Sequence, residues 1–320
     1  MTRSKIVIAG GSGFIGKCLI NAWSSRHDII ILTRQQKKCT ASGAVRFVQW
    51  DPYRDGEWMQ ALEGADLLIN LTGKSVNCRY TAKNREAILQ SRVHATAALG
   101  RAVKQAAHPP VCWINASSAT IYRHAEDRPQ DEYTGETGYD FSMNVCREWE
   151  RCFFEQQTPL TRKVALRIGI TLGAGSALDT LLRLAKFGLG GRQGSGQQKV
   201  TWIHYLDLCG IMYWIWKHPK MEGIFNCSSP NAVTNNSFMQ TLRKAAGIRF
   251  GIPVPVPLIH MGALLIGTAP EMVLKSRWVV PTRLLQAGFS FRYPELQQAL
   301  EDIIDTMPLQ QNRHTGCYII

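Results

Sequence analysis

The stretch IVIAGGSGFIG, residues 6–16, decides the fold. Ile6 to Ala9 form a short apolar β-rich run, Gly10 to Gly16 a glycine turn, and Phe14 to Ser24 carry Ile15, Leu19, Ile20 and Trp23 at the spacing of one helical face. Strand, turn and helix follow one another directly. Gly10, Gly13 and Gly16 have the spacing GxxGxxG. In such a turn the first glycine permits the tight bend, the second lets a pyrophosphate approach backbone N–H groups at the helix N-terminus, and the third allows close helix-to-strand packing. An ordinary glycine-rich turn has the same letters, but the position at the head of a βαβ unit favours a dinucleotide site.

Working outward, Ile29 to Leu32, Val45 to Gln49 and Leu67 to Leu71 read as further buried strands, and Val111 to Asn115, Lys163 to Ile168 and Gly223 to Asn226 continue the series. Strands alternating with helices predict an α/β Rossmann domain, a doubly wound parallel sheet with right-handed crossovers. The texture changes after about residue 228, with a helical stretch at Asn236 to Ala246 and prolines at 253, 255 and 257. Prolines at every second position exclude a central strand or a helix there. The chain is therefore divided into a cofactor domain, 1–228, and a smaller, helix-rich C-terminal subdomain, 229–320, with part of 170–200 joining the substrate cleft.

The composition of the 320 residues, 45% hydrophobic and 19% charged, is globular, and no apolar run approaches the ~20 residues needed to span a bilayer. The most apolar late stretch, Ile259 to Gly267, is short and reads as a buried helix or interface. Residues 1–5 leave no room for a targeting signal. Nine cysteines without a CxxC pair suggest neither a zinc site nor a disulfide framework, which fits a reducing cytoplasm. A net charge of +13 is dispersed, with one cluster at Arg34 to Lys38, and suggests a basic pocket more than a nucleic-acid face.

A Rossmann domain that prefers NAD carries an acid at the end of its second strand, where it holds the ribose hydroxyls. Thr33 and Arg34 stand there instead, and Asp28 lies at the wrong end of the strand. An arginine in that position pairs with the 2′-phosphate of NADP; the alternative is a solvated surface arginine.

GGSGFIG, LTR after the second strand, Trp50-Asp51-Pro52, NLTG at 70–73, Ser91-Arg92, WIHYLDL at 202–208 and PTRLLQAGFSFRYPELQQAL at 281–300 together resemble the atypical short-chain dehydrogenase/reductase branch called the epimerase family. The resemblance covers nearly the whole chain. It implies that Gly10, Gly13, Phe14, Ile15 and Gly16 line the pyrophosphate, Thr33 and Arg34 the adenosine phosphate, Asp51 the adenine, and Leu71, Thr72 and Gly73 the adenine ribose. Asp51 beside Pro52 also reads as a turn-former, and Thr72-Gly73 as a strand-ending turn.

Extended members of the superfamily use a Ser or Thr with a Tyr and a Lys four residues apart. The NASSATIY segment at 115–122 makes Ser118 the counterpart of the orienting hydroxyl, with a strand-end serine bonded to backbone as the alternative. Aligning Glu150 with the glutamate after the Tyr/Lys motif puts Ser142 and Cys146 in place of the pair. Tyr213 and Lys217 have the spacing but fall on a helix expected to pack against the sheet. A neutral tyrosine without such a lysine is a poor base at neutral pH, so Tyr122, Tyr133, Tyr139, His204 and Asp207 become substitute candidates. Tyr122 and His204 are the foremost, and His204 with Asp207 is equally read as a structural pair bridging the subdomains.

Two functions remain. One is an NADP-dependent oxidoreductase or epimerase acting on an unidentified small molecule; the other is a non-catalytic NADP(H)-binding redox sensor. No metal site, membrane or nucleic-acid partner is expected.

Overall fold

The structure, a computed structural model, describes residues 3–34, 43–266 and 270–314. The basic run Gln35 to Lys38, Cys39, Gly267 and Cys317 lie outside the described residues. The elements follow in the order β1 (Lys5–Ala9), α1 (Phe14–Trp23), β2 (Asp28–Thr33), β3 (Val45–Gln49), β4 (Leu67–Asn70), α2 (Ala82–Gln105), β5 (Cys112–Ser118), α3 (Phe141–Phe154), β6 (Arg162–Ile168), β7 (Ile170–Leu172), α4 (Ala177–Leu184), β8 (Lys199–Val200), β9 (Trp202–His204), α5 (Tyr205–Lys217), β10 (Gly223–Cys227), β11 (Val233–Thr234) and α6 (Asn235–Ala245). After them come α7 (Val256–Ile266), α8 (Glu271–Leu274), α9 (Thr282–Gln286) and α10 (Leu296–His314).

Seven strands form one parallel sheet in the order β3-β2-β1-β4-β5-β6-β10. Buried on both faces, β1, β2 and β4 read as continuous apolar runs rather than as alternation, whereas the edge strand β3 is part-exposed. Successive side chains point to opposite faces. Ile6, Ile8, Ile29, Ile31, Leu67 and Ile69 pack with α1 and α5, while Val7, Ala9, Ile30, Leu32 and Leu68 pack with α2 and α3. The strand order reverses between β1 and β4, which opens a crevice beyond their carboxyl ends, the place where such sheets bind ligands.

A third core joins Leu172, Leu178, Leu182 and Trp202 to Phe238, Met239, Leu242, Tyr293, Leu296, Leu300 and Ile303. The small sheet strands β8 and β11 are antiparallel partners, so residues before and after β10 share one body. The proline run departs from expectation. Helix α7 begins at Val256 and takes Pro257 into its first turn, where the missing N–H has no intrahelical partner to lose. Among the described residues no helix is long and apolar enough to cross a membrane, and no group of three His, Cys, Asp or Glu side chains could hold a metal ion.

Candidate functional site

The three glycines of the first turn do three different things. Gly10 leaves β1 with φ +77°, and a Cβ there would stand 2.9 Å from the Leu71 carbonyl carbon and the Thr72 nitrogen, so the turn lies against the exit of β4. Only glycine takes that conformation at that spacing without strain. A Cβ on Gly16 would overlap the Gly11 carbonyl, which shows how closely α1 is set against the turn. At Gly13 the nearest atom to such a Cβ is the Gly10 oxygen at 3.7 Å, so that side is open. Gly13 is also the N-cap of α1, with no side-chain cap and no acidic residue in the first turn. The amides there are left to bind an anion.

The neighbouring chain completes the cradle. Leu71 N donates to Ala9 O at 2.8 Å, and Thr72 N donates to the Asn70 side chain at 3.0 Å. Asn70 in turn reaches Asn115 and Thr96, a buried polar network that fixes the ends of β4 and β5. The Thr72 hydroxyl is buried and has no hydrogen-bond partner among the described residues. An open cradle at Gly13 and an orphaned hydroxyl at Thr72, both on the switch crevice, fit a dinucleotide laid across β1 and β4. Phe14 lies against Gly173, and Ile15 packs on the first core, so both hold the turn in place.

Thr33 closes β2 and is buried, with its carbonyl accepting from Trp50 N at 3.0 Å. Arg34 follows it, exposed, at the strand's carboxyl end. Asp51 is exposed, and its carboxylate accepts from Tyr53 N at 3.0 Å, the turn-forming geometry. Gly73 is set against α2, where the Arg92 guanidinium carbon lies 2.9 Å from the position of a Cβ.

The substitute catalytic candidates are placed less favourably. Ser118 ends β5 and caps the next turn, accepting from Thr120 N at 3.2 Å and donating to the Thr120 hydroxyl at 3.0 Å. Tyr122 is completely buried. Its hydroxyl accepts from Arg167 at 2.8 Å and reaches Asn226 and the Asp131 carbonyl at 3.0 and 2.9 Å, so its polar contacts are all with the core. Arg167 grips Glu150 through two bonds of 2.8 and 2.9 Å, and Ser117 donates to the same carboxylate.

His204 is also completely buried. Its Nδ1 accepts from Leu206 N at 3.2 Å, capping α5, its ring lies 3.9 Å from that of Tyr293, and its Nε2 faces Asp302 at 3.2 Å. Burial pushes its pKa down, against the pull of Asp302. Asp207 accepts from the Arg292 and Tyr293 amides at 2.7 and 2.9 Å. Both residues thus tie α5 to the C-terminal segment, but each through its own partners rather than as a pair. Tyr133 and Tyr139 are exposed, and Tyr213 with Lys217 lies on α5 in an aromatic group with Trp216 of the same helix and Trp23 of α1.

Ser142 and Cys146, one turn apart on α3, are where the structure gathers groups that sequence spacing could not connect. The Ser142 hydroxyl donates to Glu271 and is hydrogen-bonded to Tyr80, whose phenol is raised in pKa by burial. Lys275 bridges Asp140 and Glu271, the latter at 2.8 Å. Arg92 donates to the Lys74 and Ile88 carbonyls at 3.1 and 2.8 Å and lies over Trp149. The charges of Arg92 and Arg277 both reach Cys146, whose buried thiol is pushed up to about 12. Tyr80, Glu271, Lys275 and Arg277 carry no local signature, and only the Ser91-Arg92 dipeptide stands out in the sequence. A separate hollow of about 580 Å³, lined by Val103, Phe154, Leu160 and Lys163 among others, lies at the amino end of the strands, away from the crevice.

Residues 6–228 match the model of the NAD dependent epimerase/dehydratase family, and residues 254–303 match a domain of unknown function, DUF1731. The mouse epimerase family protein SDR39U1 is 31% identical over 94% of this chain and 99% of its own length. The crystal structure of human SDR39U1 with NADPH superposes with a TM-score of 0.84, at 30% identity, over 94% of this chain and 99% of that one. A nucleoside-diphosphate sugar epimerase from Corynebacterium glutamicum superposes with a TM-score of 0.74, at 27% identity, over 98% of this chain and 62% of that one.

Proposed function

The chain belongs to the NAD dependent epimerase/dehydratase family, and from that premise we propose that it is an NADP(H)-dependent oxidoreductase acting on a small molecule. The observation that carries the reading is the crevice itself, with an open anion cradle at Gly13 and an arginine, not an acid, at the end of β2. Gly10, Gly13 and Gly16 would hold the pyrophosphate, Arg34 the 2′-phosphate, and Leu71, Thr72 and Gly73 the adjoining ribose. That human SDR39U1 was crystallised with NADPH supports the choice of NADP.

The bound dinucleotide would supply a hydride, and the protein would supply orientation and a proton. Tyr80 is the phenol nearest in role to the missing tyrosine, since it is hydrogen-bonded to the side chain standing in that tyrosine's place. Burial keeps it protonated, which suits a donor to a carbonyl oxygen rather than a base. Residues 229–320 would close the substrate side, and the seven free thiols among the described cysteines support a cytoplasmic location.

The sealing of Tyr122 and His204 favours one second reading, an NADP(H)-binding redox sensor without turnover. Titration with NADPH and NADH, followed by NADPH oxidation with a panel of ketones and aldehydes, tests both. Tight NADPH binding with turnover supports the enzyme, tight binding with no turnover supports the sensor, and no nucleotide binding removes both.

A further inference from the structure

Lys275, Asp140 and Glu271 meet at the amino end of α3, and the charges of two further cations, Arg92 and Arg277, both reach Cys146 one turn along the helix. Lys275 takes both carboxylates, Asp140 and Glu271, as ion-pair partners. Arg92 and Arg277 are left without an ion pair among the described residues. Arg167, whose charge also reaches Cys146, is neutralised by its own partner Glu150. The Cys146 thiol and the Tyr80 phenol are both raised in pKa by burial, so neither contributes negative charge at neutral pH. One positive charge remains uncompensated in a half-buried place.

Neither arginine is a loose surface side chain. Arg92 is pinned by the Lys74 and Ile88 carbonyls, stacked on Trp149 and set over Gly73 at the mouth of the switch crevice. Arg277 is held at its backbone, which donates to Lys199 O at 2.9 Å and accepts from the Thr201 hydroxyl at 2.5 Å, and its guanidinium donates to Ser276 O at 3.4 Å. Burial depresses the pKa of both, the sign of a guanidinium desolvated without full compensation. Desolvating a charge this way is costly unless an opposite charge completes the pair.

We propose that Arg92 and Arg277 form the binding site for a carboxylate on the substrate, beside the position where Ser142 and Cys146 replace the acid/base pair. This deepens the oxidoreductase reading and rests on it for the neighbouring nicotinamide. A single excess positive charge matches a carboxylate monoanion, whereas a diphosphate would bring more negative charge than that one excess charge can balance. The guanidinium fork binds the two carboxylate oxygens side by side, and Arg is preferred over Lys for that geometry.

The test uses protein saturated with NADPH and two oxo acids as probes, pyruvate and levulinate, against their methyl esters and UDP. In calorimetric titration at least one acid should bind tenfold or more tightly than its ester. Arg92→Gln and Arg277→Gln should each weaken that acid at least tenfold while leaving NADPH affinity unchanged, with thermal melts verifying the fold. Arg92→Lys, which keeps the charge but loses the fork, should recover part of the loss. Equal binding of acid and ester, no binding of either acid, arginine variants that bind like the wild type, or competition between acid and NADPH would each overturn the proposal. UDP binding more tightly than the acids through the same two arginines would overturn it in favour of a diphosphate. If NADPH itself fails to bind, the functional reading falls, and the same titrations on the protein alone still decide whether the arginine pair holds a carboxylate.

Discussion

The Gly11 carbonyl occupies the space that a Cβ on Gly16 would need. Gly13, three residues earlier, faces no such obstruction, so the two glycines separate folding from binding. Gly16→Ala should destabilise the protein by about 1–3 kcal/mol, the usual result of overpacking. Gly13→Val should melt near the wild type and lose NADPH binding, because its side chain fills the cradle. Urea denaturation and NADPH fluorescence titration read the two effects, and equal stability losses with retained binding would remove the turn from the site.

Arg34 is exposed at the end of β2. Arg34→Ala should lower NADPH affinity about tenfold, about 1.4 kcal/mol, and leave NADH affinity unchanged. A variant that keeps the wild-type preference would assign the 2′-phosphate to another residue.

Glu150 and Arg167 are both nearly buried, and they are bonded to each other through both carboxylate oxygens. Glu150→Gln leaves the guanidinium without its counter-charge and should cost about 3–5 kcal/mol. Because Arg167 also holds the Tyr122 hydroxyl, the loss should spread to the core around Tyr122, visible as faster amide exchange in β6 and β10.

Burial holds His204 below the ordinary histidine pKa, against Asp302 and with Arg292 adding to the depression. The unfolded chain therefore binds a proton that the folded chain refuses. Stability from this group is fully present above about pH 6.5 and is lost as the pH falls toward the depressed folded-state value. Denaturation midpoints should decline with a slope of up to about 1.4 kcal/mol per pH unit below that point. His204→Asn, which retains a side-chain acceptor for the α5 cap, should flatten the slope, and an unchanged slope would assign it to other groups.

Restoring the superfamily pair by Ser142→Tyr with Cys146→Lys should fail. Cys146 is 5% exposed, and the charges of Arg92, Arg167 and Arg277 already reach it. A lysine ammonium placed there meets three like charges and one carboxylate, Glu150, which Arg167 already holds, so the thermal midpoint should fall and no activity should appear. A stable double variant that gains turnover would show that the surroundings of Cys146 tolerate a further cation.

The apolar runs from Ile6 to Ala9 and from Leu67 to Leu71 were legible because a buried parallel strand needs apolar residues on both faces. The glycine turn was legible because its geometry is local, with each restriction acting within a few residues of the chain. Ser142 and Cys146 at the positions that the resemblance gives to the Tyr/Lys pair could also be read from the sequence. Helix α7 could not be, since Pro257 breaks a helix interior but suits a first turn, and its position relative to the helix start is not written in the proline itself.

Local pattern alone determined the sheet, its glycine turn and the arginine after β2. Tertiary structure alone decided which polar side chains are sealed and which are gathered around α3. Tyr122 and His204 look like reactive groups in the sequence, and only the fold gives them their buried long-range partners, Asn226 for the one and Asp302 for the other. Tyr80, Arg92, Ser142, Glu271 and Arg277 come together from well-separated stretches of the chain. Charge balance in a buried place depends on distance through space, and spacing along the chain carries no record of it.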